Sequence, residues 1–321
     1  MAFLAGVDEA GYGPPLGPLV VGHALFRVPD PEVRLGSVLR RAAAPGPRRS
    51  QRDRRLWLDD SKKVHQGPHG RRRMARTVAA FRRLMGAEDP ALASWVAEPP
   101  CGDARLLHAA PWFLELDGPL CPEASPDRAR LDAALLGRHL DRGGCGFAGF
   151  GARVVPAVEW NGLLDDHGNK GAAHAAVVFP ILVHLVERVA GAPLRIEVDR
   201  LGGRIRYGAL LRRHFPDARI EVHDEGPAAS LYTLHLPERS PVQVRFSEGA
   251  DGRHAQTALA SLAAKQTRER LMDLFNDWFA AHDPALEPTR GYAQDANRWL
   301  ADAAPLLERL ALDRRLLVRE R

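Results

Sequence analysis

Four acidic residues stand at the ends of segments that have the pattern of strands or helices. The apolar segment FLAGV ends in two adjacent carboxylates, Asp8 and Glu9, and a glycine loop follows them. The segment LRIEV ends in Asp199, and Asp251 stands just before the longest helical pattern of the chain. If the strands that carry these acids are neighbours in a sheet, the four side chains can converge. Converging carboxylates repel one another unless a cation joins them.

Such a group of carboxylates suits metal-dependent phosphate chemistry. Oxygen ligands without histidine or cysteine favour Mg²⁺ or Mn²⁺, and Mg²⁺ usually shares its ligands between protein carboxylates and substrate phosphates. Two such ions about 4 Å apart could hold the attacking and leaving oxygens of a phosphodiester. An alternative stays open for Asp199 and Asp251, because each could instead cap the helix that follows it.

Lysine is rare in this chain. Of the 45 basic residues only four are lysines, namely Lys62, Lys63, Lys170 and Lys265. An ammonium is a compact point charge and a guanidinium is a wide planar fork, so a tight site can accept one and not the other. The four lysines are therefore candidates for positions in which arginine does not fit. The alternative is chance survival in an arginine-biased chain.

Size and cysteine content indicate the broad class of the protein. A chain of 321 residues can bury a core of its own. The three cysteines show no spacing typical of a zinc site, and an odd number of thiols favours a reducing compartment. The first residues lack the pattern of a signal peptide, and the most apolar segment, residues 171–189, contains charged residues. We expect a cytoplasmic monomer without a membrane segment.

The basic residues are unevenly distributed. The formal net charge is +5, and two arginine-rich runs, residues 45–55 and 70–76, flank the segment LDDSKK. Arginine runs are usually solvated faces, but two runs around one motif favour a surface that binds phosphates.

The order of the apolar patterns predicts the fold class. Strands come first as a hairpin, strands and helices then alternate, and helices come last, which indicates an α/β domain with a mixed sheet flanked by helices and a helical C-terminal part. Residues 87–150 look irregular apart from one helix. The predicted elements are strands over 3–7, 17–28, 194–199 and 218–224, further strand candidates over 230–236 and 242–246, and helices over 70–86, 127–141, 169–191, 203–215, 255–282 and about 293–312.

Five segments, in order along the chain, have the pattern of one enzyme family. They are GVDEAGYGPPLGPLVV, LDDSKKV, IEVDRLGG, ALASLAAKQTRERLM and GYAQDANRW. They resemble the motifs of the ribonuclease HII family (type 2 ribonucleases H): G-[IV]-D-E-A-G-R-G-P-x-x-G-P-V-V, D-S-K-K-L, a strand ending in Asp, A-A-S-I-x-A-K-x-x-R-D-x-x-M, and G-Y-x-T-x-x-H. The family has a catalytic Asp fourteen residues before the helix lysine, and Asp251 stands fourteen residues before Lys265.

The resemblance implies a ribonuclease H-like fold and a metal-dependent endoribonuclease. Its substrate would be RNA in RNA–DNA hybrids or ribonucleotides embedded in duplex DNA, and two Mg²⁺ or Mn²⁺ ions would activate a water and stabilise the leaving oxygen. The catalytic and metal-binding residues would be Asp8, Glu9, Asp199 and Asp251. The substrate-binding residues would be Gly11, Tyr12, Gly13, Ser61, Lys62, Lys265 and Tyr292, although Tyr292 could instead be a core tyrosine.

The chain also departs from the family pattern. Tyr12 stands where the family has arginine, and Asp199 and Asp251 are much further apart along the chain than the matching acids of the family. One alternative is therefore an inactive or specialised nucleic-acid-binding paralogue, and another is a nuclease acting on DNA or structured RNA. The expected division is a catalytic core over 1–86 and 151–282 with insertions at about 87–150 and 203–242, and a C-terminal helical region over 283–321.

Overall fold

A mixed sheet of seven strands, in the order β5-β2-β1-β6-β9-β8-β7, forms the centre of the protein. The computed structural model describes residues 1–46, 53–86 and 91–320. Strands β1, β6 and β9 run parallel to one another, and the remaining neighbours in this sheet are antiparallel. The strands are β1 Ala2–Ala10, β2 Leu19–Val28, β5 Gly146–Val155, β6 Leu194–Asp199, β7 Arg219–Glu225, β8 Ala229–His235 and β9 Val242–Ser247, and a separate two-stranded pair is β3 Ala43–Ala44 with β4 Leu56–Trp57.

Helices cover both faces of the sheet. Helix α10 lies on one face, against β1 and β2, and α8 lies on the other face and also contacts α7 and α9. The α-helices are α1 Leu35–Leu39, α2 Ser61–His65, α3 Gly70–Leu84, α4 Leu92–Val96, α5 Ala104–His108, α6 Pro126–Arg142, α7 Ala157–His167, α8 Lys170–Arg188, α9 Gly208–His214, α10 Ala255–His282, α11 Ala293–Asp302, α12 Ala304–Arg309 and α13 Arg314–Leu317, and the 3₁₀ turns are Pro111–Phe113 and Ala250–Gly252.

The central strands read as apolar runs because both of their faces are covered. Strand β2, LVVGHALFRV, is buried at nine of its ten positions, which is the pattern of a strand between two helical layers. Two glycines allow α10 to lie directly on the sheet. A Cβ atom on Gly6 would lie 2.3 Å from the backbone of Thr257, and one on Gly22 would lie 2.1 Å from the carbonyl oxygen of Ala260.

The predicted fold class is the observed one, with a mixed sheet flanked by helices and a helical C-terminal part. The predicted hairpin of β1 and β2 and the helices α3, α8 and α10 are present. The helix expected over 203–215 is shorter, at Gly208–His214, and the final helical region consists of three short helices.

The expectation that 87–150 is irregular apart from one helix is wrong, because α4, α5 and a 3₁₀ turn also lie within it and a strand begins at its end. Strand β5 begins at Gly146 and pairs with β2, and Phe150 is buried against Trp95 of α4. Its sequence, GFAGFGARVV, is rich in glycine, which has a low strand propensity, so its alternation is a weak signal. Residues 87–90 lie outside the described part of the chain. The division into a core with two insertions stays a prediction.

Helix α8 is the most apolar of the long helices. By length and composition alone it could cross a membrane, with a mean hydropathy of 1.3, and 56% of this window is buried inside the protein. Its buried residues, among them Val177, Phe179 and Leu182, pack in the core on the sheet face opposite α10.

Strand β7 is the outer strand at one edge of the sheet. Five of its seven residues are exposed, and its sequence RIEVHDE carries one arginine and three acidic residues. Its pairing with β8 is irregular between Val222 and Asp224.

Candidate active site

The carboxyl ends of three parallel strands place the strand-end acids at one edge of the sheet. Val7 of β1 pairs with Val198 of β6, so Asp8 and Asp199 follow at the same level on neighbouring strands. Asp199 in turn pairs with Ser247, the last residue of β9. The strands that carry Asp8, Glu9 and Asp199 are therefore neighbours, as convergence of these acids requires.

A tight turn after β9 brings Asp251 to the same edge. Gly249 has a left-handed backbone with φ of 63°, and the 3₁₀ turn Ala250–Gly252 follows it. The Asp199 carboxylate accepts a hydrogen bond of 2.9 Å from the backbone N–H of Ala250, so one acid holds the turn that carries the other. Asp251 does not cap α10, because the N-cap position is His254.

Asp199 does not cap a helix either. The helix that follows β6 along the chain is α9, and its N-cap position is Tyr207. The capping alternatives that the sequence left open for the two acids are therefore wrong, although Asp199 does stabilise the turn after β9.

Asp8 and Glu9 lie on opposite faces of the sheet, as the pleat of a strand requires. Asp8 faces α10, where Ser261 hydrogen-bonds its carboxylate. Glu9 faces α8, where its Oε2 lies 3.8 Å from Nε2 of the buried His174. Among the described residues, no three His, Cys, Asp or Glu side chains already form a group that could hold a metal ion. The four acids thus surround the edge without forming one compact cluster.

These four carboxylates, which we call the acid edge, nevertheless act on one another electrostatically. The pKa of Asp8 is raised well above its ordinary value by burial and then by the charges of Glu9, Asp199 and Asp251. Burial and Asp199 raise the pKa of Glu9 to about 8. Burial, then the charges of Asp60 and Asp199, raise the pKa of Asp251 to about 6. Burial also raises the pKa of Asp199.

One lysine moderates this negative charge. Lys62 lowers the pKa of Glu9, Asp199 and Asp251, against the effect of burial. Arg253 adds to this effect at Asp199, but burial still raises the pKa of all four acids. Carboxylate oxygens are the ligands that Mg²⁺ and Mn²⁺ prefer, so the donor chemistry fits divalent cations. A bound cation would also offset the repulsion between these carboxylates.

The LDDSKK segment lies beside the acid edge. Asp60 caps α2 by accepting a hydrogen bond of 2.7 Å from the backbone N–H of Lys62. The hydroxyl of Ser61 is buried and lies 3.0 Å from that of Ser261, the residue that bonds Asp8. Ser61 therefore contacts the residue that holds the Asp8 carboxylate. The sequence resemblance had instead implied that Ser61 binds the substrate.

The two glycines of the loop differ in what the fold requires of them. Gly11 has φ of +86°, and a Cβ atom there would lie 2.4 Å from Nε of Arg268, so the fold itself needs glycine. Gly13 does not have this constraint, because in the described part of the chain no heavy atom lies within 4 Å of its Cβ position. Gly13 is therefore the glycine whose open side could face a substrate.

Tyr12 packs against α8 and lies close to Glu9. Its ring stacks on His174 at 4.5 Å, and the ammonium of Lys170 lies 5.2 Å from the ring centre. Burial, followed by the charge of Glu9, raises the pKa of Tyr12. The positive charge of Arg204, in the loop after β6, acts in the opposite direction and lowers the pKa of Tyr12.

Lys265 and Tyr292 form a second part of the site, on α10 and at the start of α11. The Lys265 ammonium donates a hydrogen bond of 3.1 Å to the Tyr292 hydroxyl. It also forms an ion pair of 2.7 Å with the carboxylate of Glu269. The Tyr292 side chain is 48% exposed, so the alternative of a core tyrosine is wrong. Its exposed ring is available for stacking on a sugar or base.

The arginine run at 70–76 contributes mainly to the fold. Arg71 pairs with Asp273 and Glu123, and Arg76 pairs with Asp132 at 2.6 Å. Arg72 is exposed. The expected phosphate-binding surface is therefore not formed by this run as a whole. The other run, 45–55, lies partly outside the described residues, at 47–52.

Sequence reasoning missed three residues that the structure places near the acid edge. Asp60 acts on Asp251, His174 contacts both Glu9 and Tyr12, and Arg319 acts on Tyr12. The doubled acid of LDDSKK could have indicated Asp60. The spacing of four residues from Lys170 to His174 could have placed them on one side of α8. Arg319 carries no comparable sequence signal.

Solved structures with a similar fold include several ribonucleases H. The ribonuclease H2 from Pyrococcus horikoshii OT3 is 15% identical, over 98% of this chain and 92% of that chain, with a TM-score of 0.40. The RNase HII in the PCNA:RNase HII complex from Archaeoglobus fulgidus is 13% identical, over 99% and 94%, with a TM-score of 0.41. Bst-RNase HIII in complex with Mn²⁺ is 16% identical, over 99% and 66%, with a TM-score of 0.39.

No protein-family model and no curated protein matches the chain. With identities of 13–16% and TM-scores below 0.5, the function of this protein has to be inferred from its own side chains.

Proposed function

We propose that this protein is a metal-dependent endonuclease of the ribonuclease H type, which cleaves RNA in RNA–DNA hybrids or at ribonucleotides embedded in duplex DNA. The observation that supports this most is the acid edge. Four buried or half-buried carboxylates lie around the carboxyl ends of parallel strands, close enough to raise one another's pKa. A fold gains no stability from such an arrangement, so the pattern is typical of a functional site.

The proposed roles follow from position. Asp8, Glu9, Asp199 and Asp251 would hold two Mg²⁺ or Mn²⁺ ions, which when bound would supply an activated water and stabilise the leaving oxygen. The ammonium of Lys62 lies within the field of three of these acids, where it would attract and orient the scissile phosphate.

The rest of the site would select the substrate. Gly13, which has open space beside it, would allow the backbone to approach the ribose, whose 2′-hydroxyl distinguishes RNA from DNA. Lys265 would contact a neighbouring phosphate, and Tyr292 would stack on the adjoining sugar. We propose that the protein acts in the cytoplasm, in keeping with its odd number of cysteines, and that it acts as a monomer.

We also propose a preference between the two substrates. Tyr12 offers a ring and one hydroxyl where the family pattern has an arginine, so a charged contact next to the ribose is replaced by stacking, which tolerates many sequences. We therefore expect a higher kcat/KM for runs of ribonucleotides in a hybrid than for a single ribonucleotide in DNA. A higher kcat/KM for the single ribonucleotide would contradict this.

A cleavage panel tests the proposed activity. Three duplexes of one sequence are compared: an RNA–DNA hybrid, a DNA duplex with one ribonucleotide, and an all-DNA duplex, each with Mg²⁺, Mn²⁺ or a chelator. We expect cleavage of the first two only, and only with metal. Asp199→Asn should abolish it, whereas the control Asp127→Asn, at an exposed carboxylate paired with Arg130, should not.

A second function is favoured by one observation, that the acids are not yet grouped as metal ligands. A catalytically inactive paralogue would bind hybrids without cutting them. The panel separates the two, since such a protein would bind the hybrid with the same affinity in metal or chelator and would yield no product. Efficient cleavage of the all-DNA duplex would instead indicate a deoxyribonuclease of the same fold.

A further inference from the structure

The C-terminal segment of the protein lies directly beneath the glycine loop. Val318 forms an isolated antiparallel bridge with Leu16. The backbone N–H of Arg319 donates a hydrogen bond of 2.8 Å to the carbonyl of Pro15. A stretch more than 300 residues away along the chain thus pairs with the loop that follows the first two acids.

Helix α7 holds this segment from its other side. The buried side chain of Asn161 donates a hydrogen bond of 2.8 Å to the carbonyl of Val318 and accepts one of 2.8 Å from the N–H of Glu320. The indole N–H of Trp160 donates to the carbonyl of Glu320 at 3.2 Å. The segment from 317 to 320, which we call the strap, therefore joins α7 to the glycine loop.

The side chain of Arg319 is the part of the strap that reaches the loop. Its guanidinium donates hydrogen bonds to the carbonyls of Gly11 and Pro14, and its Cζ lies 5.6 Å from the ring centre of Trp160. The residue is 3% exposed. Within the described chain, no carboxylate lies at ion-pair distance from it, and the charged side chain acting on it most strongly is Arg268, another cation.

A buried guanidinium without a carboxylate partner is a costly way to fill space. An apolar side chain of similar volume would often stabilise a fold at least as well. What arginine adds is a rigid fork of donors that fixes two acceptors at once. The benefit of Arg319 is therefore the orientation of the loop carbonyls.

The orientation of those carbonyls determines where the loop's donors point. In a trans peptide the C=O and the N–H of one unit point in opposite directions. Because the carbonyl of Gly11 points at Arg319, the N–H of Tyr12 points away from it. Arg319 also acts on Tyr12 electrostatically. The strap thus orients the backbone at Tyr12 and lies within the electrostatic surroundings of its side chain.

We propose that Arg319 is a positioning residue for the glycine loop, and that the strap sets how well the loop distinguishes ribose from deoxyribose. The inference rests on the proposed function for the sugar reading, but the loop's dependence on Arg319 is a property of the free protein. Arg319 acts from behind the loop and does not touch the substrate.

The experiment compares Arg319→Met with Arg319→Lys and a control, Arg309→Met. Arg309 is exposed and donates one hydrogen bond to the carbonyl of His282. The first measurement is amide hydrogen exchange of the metal-free protein. We expect faster exchange in residues 11–17 for Arg319→Met, an intermediate rate for Arg319→Lys, and no change for Arg309→Met. Exchange in β7 and β8 should be unchanged in all three.

The second measurement is kcat/KM on the ribonucleotide-containing duplex beside the dissociation constant for an all-DNA duplex. We expect kcat/KM to fall by about tenfold in Arg319→Met, mainly through kcat, whereas DNA binding stays within about twofold, because phosphate contacts are separate from sugar reading. A role limited to stability would lower the melting temperature and leave kcat/KM unchanged well below it.

A second variant tests the same inference without changing Arg319, in case Arg319→Met fails to fold. Asn161→Ala removes the anchor of the strap and leaves Arg319 in place, so it should raise exchange in residues 11–17 and lower kcat/KM in the same way. Unchanged exchange in the loop for both Arg319→Met and Asn161→Ala would overturn the inference, whatever the activity. Faster loop exchange in a protein that cleaves none of the duplexes would support the strap's control of the loop and reject the proposed function.

Discussion

Two buried carboxylates of the site have opposite electrostatic surroundings. Glu269 is 2% exposed and Asp8 is 6% exposed. Burial alone would raise the pKa of Glu269, but its ion pairs with Lys265 at 2.7 Å and Arg290 at 3.3 Å lower it below its ordinary value. The pKa of Asp8 is raised by burial and by three further acids.

This difference separates scaffold from reactive site. Around Glu269 the charges are paired, and the network fixes the position of Lys265. At the acid edge burial and mutual repulsion outweigh the partial compensation by Lys62, so ionising these acids in the folded protein has an electrostatic cost that a bound cation would offset. Loss of a paired buried acid should therefore destabilise the protein, whereas loss of an unpaired one should not.

The largest expected effect is that of Asp8→Asn. We expect cleavage to fall by a factor on the order of 10³, since a metal ligand supplies several kcal/mol to the transition state. The melting temperature in a chelator should stay the same or rise, because one repelling charge is gone. Cleavage rates and thermal unfolding are measured on the same preparation, with Asp127→Asn as the control.

If the melting temperature of Asp8→Asn in a chelator were much lower than that of the wild type, Asp8 would stabilise the fold as Glu269 does, and the contrast between the two carboxylates would be wrong. One that retains near wild-type turnover would show that Asp8 does not take part in catalysis.

The next effect is on stability, for Glu269→Gln. This substitution removes the carboxylate partner of the 11% exposed Lys265 side chain, whereas the half-exposed Arg290 keeps its second ion pair, with Asp273 at 3.2 Å. Breaking a buried pair costs several kcal/mol, and the exposure of Arg290 reduces that, so we expect a loss of about 2 kcal/mol in the free energy of unfolding. Denaturant unfolding checks this, and a variant as stable as the wild type would place Glu269 outside the scaffold.

Asp8, Glu9 and Asp199 could be predicted from the sequence because they end apolar runs, and Asp251 because it stands just before the longest helical pattern. The lysines could be singled out because lysine is rare, and the structure places Lys62 at the acid edge, Lys170 at Tyr12 and Lys265 at Tyr292. Both signals are local, so a single sequence carries them.

Other features depend on long-range packing that no local pattern reveals. The pairing of Arg319 with Gly11 joins residues 308 positions apart. The placement of Asp8 and Glu9 on opposite faces of the sheet follows from the pleat of the strand. The spacing of residues along the chain does not indicate which helix covers which face. The glycine-rich strand β5 becomes a strand because β2 and α10 supply the packing that its own propensity lacks.

A smaller effect is expected for Lys265→Arg. A guanidinium can keep the ion pair with Glu269, but it cannot occupy the compact position between that carboxylate and the Tyr292 hydroxyl. We expect kcat/KM to fall about tenfold with little change in stability. The matched control is Arg72→Lys on the exposed side of α3, which should behave as wild type. Equal activity of the two variants would mean that the lysine at 265 is chance survival.

The smallest effect is a difference in pH dependence. The pKa of Glu9 is raised from 4.5 to about 8, so the folded state binds its proton more tightly than the unfolded state. Its contribution to stability is therefore present at low pH and is lost as pH rises from about 5 to 8. In a chelator, Glu9→Gln should lose less stability over this range than the wild type.

The control for this measurement is Glu115→Gln, at an exposed position, which should follow the wild-type curve. Parallel curves for wild type and Glu9→Gln would show that Glu9 titrates in its ordinary range. Saturating Mg²⁺ should reduce the difference between them, because a bound cation favours the ionised carboxylate.

The outer strand β7 has a consequence for how the protein behaves when concentrated. A free sheet edge is a template on which a second chain can add a strand and begin to aggregate. Here the edge carries charges of both signs, Arg219, Glu221 and Asp224, and its regular pairing is interrupted after Val222. An approaching strand would meet unmatched charges and a broken hydrogen-bonding register. We therefore expect this extension of the sheet to resist strand addition even in crowded solution.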